Sequence, residues 1–148
     1  MIDLTMPIVP YKGTGIFELR ADYSNTISIL QALNVEYDEE ILEATDVDPP
    51  WIIVSVGNDI KLFFAKDTLF KIVLLNKFKG ELPNGISLDT SIDDAQKIDP
   101  TLQYDDWEEF FESANGYWLE ENLDTHKLWS ISIFMPEVER DDFQEYNW

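Results

Sequence analysis

Apolar positions along the chain first fall into a pattern at GIFEL (15–19), whose alternation gives a short strand. In SNTISILQALNV (24–35), Ile27, Leu30 and Leu33 with Ile29 and Val35 then form a helical stripe that Ser24 or Asn25 caps. After an acidic stretch and the Pro49-Pro50 break come WIIVSV, IKLFF and LFKIVLLNKF, separated by Gly57-Asn58-Asp59 and Ala65-Lys66-Asp67-Thr68. β-Branched and aromatic runs parted by such turn residues predict an antiparallel meander. The plan then repeats. GISL (85–88) reads as a strand, and Thr90 with Asp93 opens a helix carrying Ile92, Ala95 and Ile98, which Pro100 stops. YWLEENL and LWSISIF follow as strands on either side of Asp124-Thr125-His126-Lys127. Without gaps, Ile60, Leu62, Phe64, Phe70, Ile72 and Leu74 fall opposite Leu119, Glu121, Leu123, Trp129, Ile131 and Ile133. The pattern predicts one α+β domain over 1–148, an antiparallel sheet with helices packed on one face. Its two β-α-β-β-β halves run over 14–79 and 80–136, and the acidic, aromatic tail at 137–148 is either frayed or docked.

The segment LQYDDWEEFFES (102–113) sets a separate problem. Asp105, Asp106, Glu108, Glu109 and Glu112 are interleaved with Tyr104, Trp107, Phe110 and Phe111, and no cation is near. On a helix, Trp107, Phe110 and Phe111 lie at i, i+3 and i+4 and pack inward, leaving the carboxylates around the other sides. No lysine or arginine at i,i+4 relieves their repulsion. The segment is then either a solvated acidic face or a surface for a basic partner. Glu121 is a second problem, because strand alternation gives it the face shared by Tyr117, Leu119 and Leu123. An unpartnered buried carboxylate is costly, so the strand slips at a bulge, or ends at Glu121, or turns it into a groove. Trp118 and Glu120 point the other way, with Trp118 as a partner anchor, while Trp107 and Trp129 belong to the core.

Charge changes the picture more than composition does. The 148 residues hold 30 acidic and 10 basic side chains, a net charge of −20. Binding to nucleic acid or an anionic membrane needs cationic surface, so neither is expected, and a basic protein is the natural partner. The charges are segregated as well. Between Arg20 and Lys61 no cation occurs, while Glu36, Asp38, Glu39, Glu40, Glu43, Asp46 and Asp48 crowd that interval. A second cation-free stretch between Lys97 and Lys127 holds Asp99, the carboxylates of 105–112, Glu120, Glu121 and Asp124. These give the molecule a strongly negative side. The candidate partner-binding residues are Asp105, Asp106, Glu108, Glu109, Glu112, Trp118, Glu120, Glu121 and Asp124, together with Asp38, Glu39 and Glu40.

Catalytic chemistry finds little support. There is no cysteine, no Gly-rich phosphate loop, no G-x-S-x-G and no H-E-x-x-H. DVDPP (46–50) begins like a calcium loop but lacks the Gly at its sixth and the Glu at its twelfth position. His126 sits in a predicted turn beside Lys127, where a solvated imidazole is the plain reading. The expectation is a non-enzymatic protein with no cofactor and no metal, a monomer or weak homo-oligomer. No run of 18 apolar residues occurs, and MIDLTMPIVP lacks the basic start and cleavage site of a signal peptide, which predicts a cytoplasmic location.

In size, charge and element pattern, with the paired openings Gly15-Ile16 and Gly85-Ile86, the chain resembles the immunity proteins of bacterial contact-dependent growth inhibition and related polymorphic toxin systems. The resemblance implies a small acidic α+β domain that binds one cognate toxin, often a basic nuclease, and blocks its active site or a neighbouring surface. Some such proteins add strands of a toxin hairpin to their own sheet, which requires an open edge. The alternative is a binding module for an endogenous basic protein.

Overall fold

A computed structural model describes residues 2–43, 50–140 and 143. The chain opens with three two-residue strands, β1 (Ile8–Val9), β2 (Gly13–Thr14) and β3 (Phe17–Glu18), which pair antiparallel as a small sheet. Helix α1 (Tyr23–Ala32) follows, capped by Asp22, whose side chain accepts from the Ser24 and Asn25 backbone N–H groups. It buries Leu30 and leaves Ile29 and Leu33 exposed, so the stripe is narrower than the sequence predicts. Strands β4 (Asp38–Leu42), β5 (Trp51–Val56), β6 (Ile60–Ala65) and β7 (Thr68–Leu75) form a meander. Its tightest turn takes Lys66 and Asp67 to φ 52° and 61°, the pair of left-handed residues a two-residue hairpin needs.

The second half begins without a strand, because GISL is irregular, although Ile86 is fully buried. Helix α2 (Ile92–Ile98) is capped by Ser91 rather than Thr90, whose hydroxyl instead accepts from the Ser87 N–H. Strands β8 (Gln103–Asp105), β9 (Phe110–Glu112), β10 (Tyr117–Glu121) and β11 (Leu128–Phe134) form the second meander, and a 3₁₀ helix runs from Pro136 to Glu139. The two meanders join through β7 and β11 into one antiparallel sheet of eight strands, order β4-β5-β6-β7-β11-β10-β9-β8. The α+β class stands, with four strands per meander where the sequence predicts three. The extra strands come from acidic segments whose alternation the charges hide.

Pairing repeats from half to half. Ile60, Leu62 and Phe64 face Leu74, Ile72 and Leu69, as Tyr117, Leu119 and Glu121 face Ile133, Ile131 and Leu128. Both hairpins carry a bulge, between Phe63 and Phe64 and between Glu120 and Glu121. The extra residues on the opposite strands are Phe70 and Trp129. The ungapped alignment is therefore right for β7 and β11 but two residues out for β6 and β10, where the second turn is longer.

One sheet face carries Val54, Val56, Ile60, Leu62, Phe64, Ile72, Leu74, Leu119, Ile131 and Ile133, all buried in one cluster with Leu30, Ile92 and Ala95 of the helices. Each such side chain contributes roughly 1.5–3 kcal/mol on burial. At the margin of this core lies Asp99, whose carboxylate accepts from the side chains of Thr101, Ser113, Asn115 and Tyr117. Burial pushes this carboxyl up, but the four donors outweigh it and hold Asp99 well below the usual carboxylate range.

Candidate partner-binding face

The opposite face of the sheet is where the sequence-predicted site residues converge, and its floor is aromatic rather than aliphatic. Pairing places Trp51, Phe63, Lys71, Phe134, Trp118 and Phe110 on it. Trp118 stacks between Phe110 and Phe134, with ring centroids at 4.5 and 4.3 Å. Trp51 packs on Phe70 at 5.0 Å and on Phe63 at 6.3 Å. The bulge at Phe63/Phe64 is what turns Phe70 to this side.

The end of the chain supplies one wall. The Arg20 guanidinium makes two hydrogen bonds to Glu137, at 2.6 and 2.7 Å, and the Tyr11 hydroxyl donates to Glu139 at 2.7 Å. Phe143 is buried against Phe70 at 5.3 Å. The tail is therefore docked as far as these residues show. Between it and the sheet runs a groove of about 460 Å³, lined by Trp51, Phe70, Lys71, Phe110 and Trp118, with Asp105, Glu108, Glu112, Glu139 and the cationic Arg140 around them.

The segment 102–113 is a hairpin, not a helix. Tyr104 pairs with Phe111 and Asp105 with Phe110, while Asp106–Glu109 make the turn. Asp105 accepts from the Trp107 and Glu108 N–H groups at 2.9 and 3.1 Å, an Asx turn that helical spacing imitates. Trp107 is consequently 90% exposed at the tip, and its assignment to the core is overturned. Trp129 is overturned too, 51% exposed because the bulge opposite Glu120 and Glu121 turns it out of the sheet. Trp118 lies on the predicted side, but its stacking leaves it half-buried.

The carboxylates separate into groups. Asp105, Glu108 and Glu112 ring the groove with Trp118, while Asp106 and Glu109 sit beside Trp107 on the tip, both exposed. Burial raises the Glu112 carboxyl, and the charges of Asp105, Glu139 and Glu108 raise it further. Glu120 is exposed on the same face. Glu121 ends β10 at the bulge, 3.4 Å from the His126 imidazole, so the slipped register and the strand end account for it together. Asp124 is exposed in the following turn. Asp38, Glu39 and Glu40 are exposed on β4 at the far edge, where Tyr23 donates to Glu39. Seven strand spacings of about 4.8 Å put roughly 34 Å between β4 and β8. The two acidic clusters therefore flank the sheet from opposite edges instead of merging into one negative side. Asp46 and Asp48 lie outside the described residues, as does most of the candidate calcium loop.

Sequence reasoning missed the aromatic floor and Lys71. The signal was present in the alternate residues of WIIVSV, IKLFF and LFKIV, whose second face is also apolar and aromatic. Among the described residues no three His, Cys, Asp or Glu side chains converge as metal ligands, and no helix is long and apolar enough to cross a membrane. Comparison with protein-family models, with curated proteins and with solved structures returns no match.

Proposed function

We propose that this chain is a cytoplasmic immunity protein, without catalytic activity of its own, that binds and neutralises a cognate toxin domain of basic character such as a nuclease. The observation that carries the reading is the second sheet face, an aromatic floor rimmed by carboxylates that make no salt bridge to the described lysines and arginines. A sheet face kept only for solubility has no use for stacked tryptophan and phenylalanine, and an aromatic face kept only for packing has no use for the rim. Aromatic anchors inside a polar rim are the composition of a protein interface. Unrelieved carboxylates gain most from lysine and arginine delivered by a partner, and the net charge of −20 steers such a partner in.

The test is co-expression with the product of the reading frame directly upstream. That product is expected to be toxic alone, harmless beside this chain, and to co-purify with it. A harmless upstream product that forms no complex would contradict the reading and favour an endogenous basic partner.

A further inference from the structure

Lys71 lies among the aromatic side chains that line the groove and has no evident reason to be there. Its ammonium lies 4.2 Å from the Phe63 ring centroid and 5.8 Å from those of Trp51 and Trp118. Among the described residues it has neither a salt bridge nor a side-chain hydrogen bond. Enclosure by these rings pushes the amine down from 10.5 to about 8, against a weaker upward pull from Glu108. A methionine would fill the same space without that desolvation cost. The lysine therefore brings to the groove lining a set of N–H donors that no side chain among the described residues matches.

The groove's charges restrict what can accept from those donors. Four carboxylates, Asp105, Glu108, Glu112 and Glu139, outnumber the two cations that line the groove, Lys71 on its floor and Arg140 on the wall formed by the end of the chain, so an anionic occupant meets net repulsion. A bare cation meets Lys71 itself. The occupant that satisfies both is a neutral acceptor flanked by positive charge. Resting on the toxin-binding reading above, we infer that the groove seats a basic loop of the partner, with a main-chain carbonyl accepting from Lys71 Nζ and neighbouring lysine or arginine side chains pairing with Glu108 and Glu112. Trp51 and Trp118 then cover the loop's apolar stems, and Lys71 fixes its register.

Charge alone predicts the opposite sign for the decisive variant. Removing a positive charge from an acidic groove should tighten a basic ligand, whereas removing the donor to its carbonyl should loosen it. The probe is the capped peptide acetyl-Gly-Lys-Gly-Arg-Gly-amide, its binding followed by calorimetry, with a citrulline and acetyl-lysine version and a glutamate version as controls. Lys71→Met is expected to weaken binding by about tenfold or more, the loss of one charge-assisted hydrogen bond. Its melting temperature should be unchanged or higher, and Lys71→Arg, which keeps a donor, should retain part of the affinity. Glu108→Gln with Glu112→Gln should weaken the basic peptide and not the neutral one. Equal or tighter binding by Lys71→Met, preference for the glutamate peptide, or no binding of the basic peptide to the wild type would each overturn the inference. Co-purification with the upstream product is scored separately. Peptide binding without it removes the immunity reading and leaves the groove, while co-purification insensitive to both variants does the reverse.

Discussion

An ammonium held against Trp51, Phe63 and Trp118 has lost much of its hydration, and the cation–π contacts return only part of it. Lys71 titrates near 8 in the folded chain against 10.5 ordinarily, so its charged form destabilises the fold below pH 8. Between about pH 8 and 10.5 the unfolded chain still holds the proton that the folded chain has released, and stability from this group rises with pH there. Lys71→Met should remove that rise and stabilise the protein at pH 7 by about 1–2 kcal/mol, measured by urea unfolding. Asp99 has the opposite sign. Its folded carboxyl titrates below the ordinary 3.8, so its contribution is complete above about pH 4 and is lost as the pH falls through the more acidic range. Asp99→Ala strands the hydroxyls of Thr101, Ser113 and Tyr117 and should cost about 2–4 kcal/mol at pH 7. In acid the difference from wild type should shrink.

At the scale of elements, the hairpin formed by β8 and β9 carries the most informative single residue. Trp107 at its tip has 90% of its surface in water and makes no ring contact with the described aromatics. Trp107→Ala should move unfolding free energy by no more than about 0.5 kcal/mol while weakening partner binding by about 2 kcal/mol, as loss of an interface tryptophan does. Calorimetry of the free and bound protein separates the two effects. The same hairpin shows where the sequence is legible and where it is not. The strands β5, β6, β7, β10 and β11 could be read because their apolar runs are bounded by turn residues such as Gly57-Asn58 and Lys66-Asp67. The hairpin could not, since Trp107, Phe110 and Phe111 imitate helical spacing while the pairing of Tyr104 with Phe111 depends on contacts the local sequence does not show. Bulges had the same effect on Trp129, whose place in an alternating strand suggests burial until the register slips.

Over the whole molecule, the two meanders meet back to back at β7 and β11, which puts the ends of the pattern, β4 and β8, on the outer edges. Both edges are acidic, and charge on an unpaired edge discourages sheet-to-sheet aggregation. That role needs no partner, yet it does not explain the aromatic groove or the exposed Trp107. With a net charge of −20, association with a basic partner should be fast at low salt and slow by roughly tenfold or more as the Debye length falls below about 8 Å. Stopped-flow rates across a salt series measure it, and a rate indifferent to salt would remove steering from the mechanism. The most direct measurement is the affinity for the upstream gene product of the variant with Asp106, Glu108 and Glu109 all changed to lysine, Asp105 being kept because it holds the hairpin turn. Its fold should survive, because these side chains are mostly exposed and pair with no described cation. A loss of about a hundredfold or more in affinity, with the melting temperature of the wild type, is the result predicted. Wild-type affinity in the folded variant would place the interface away from this face.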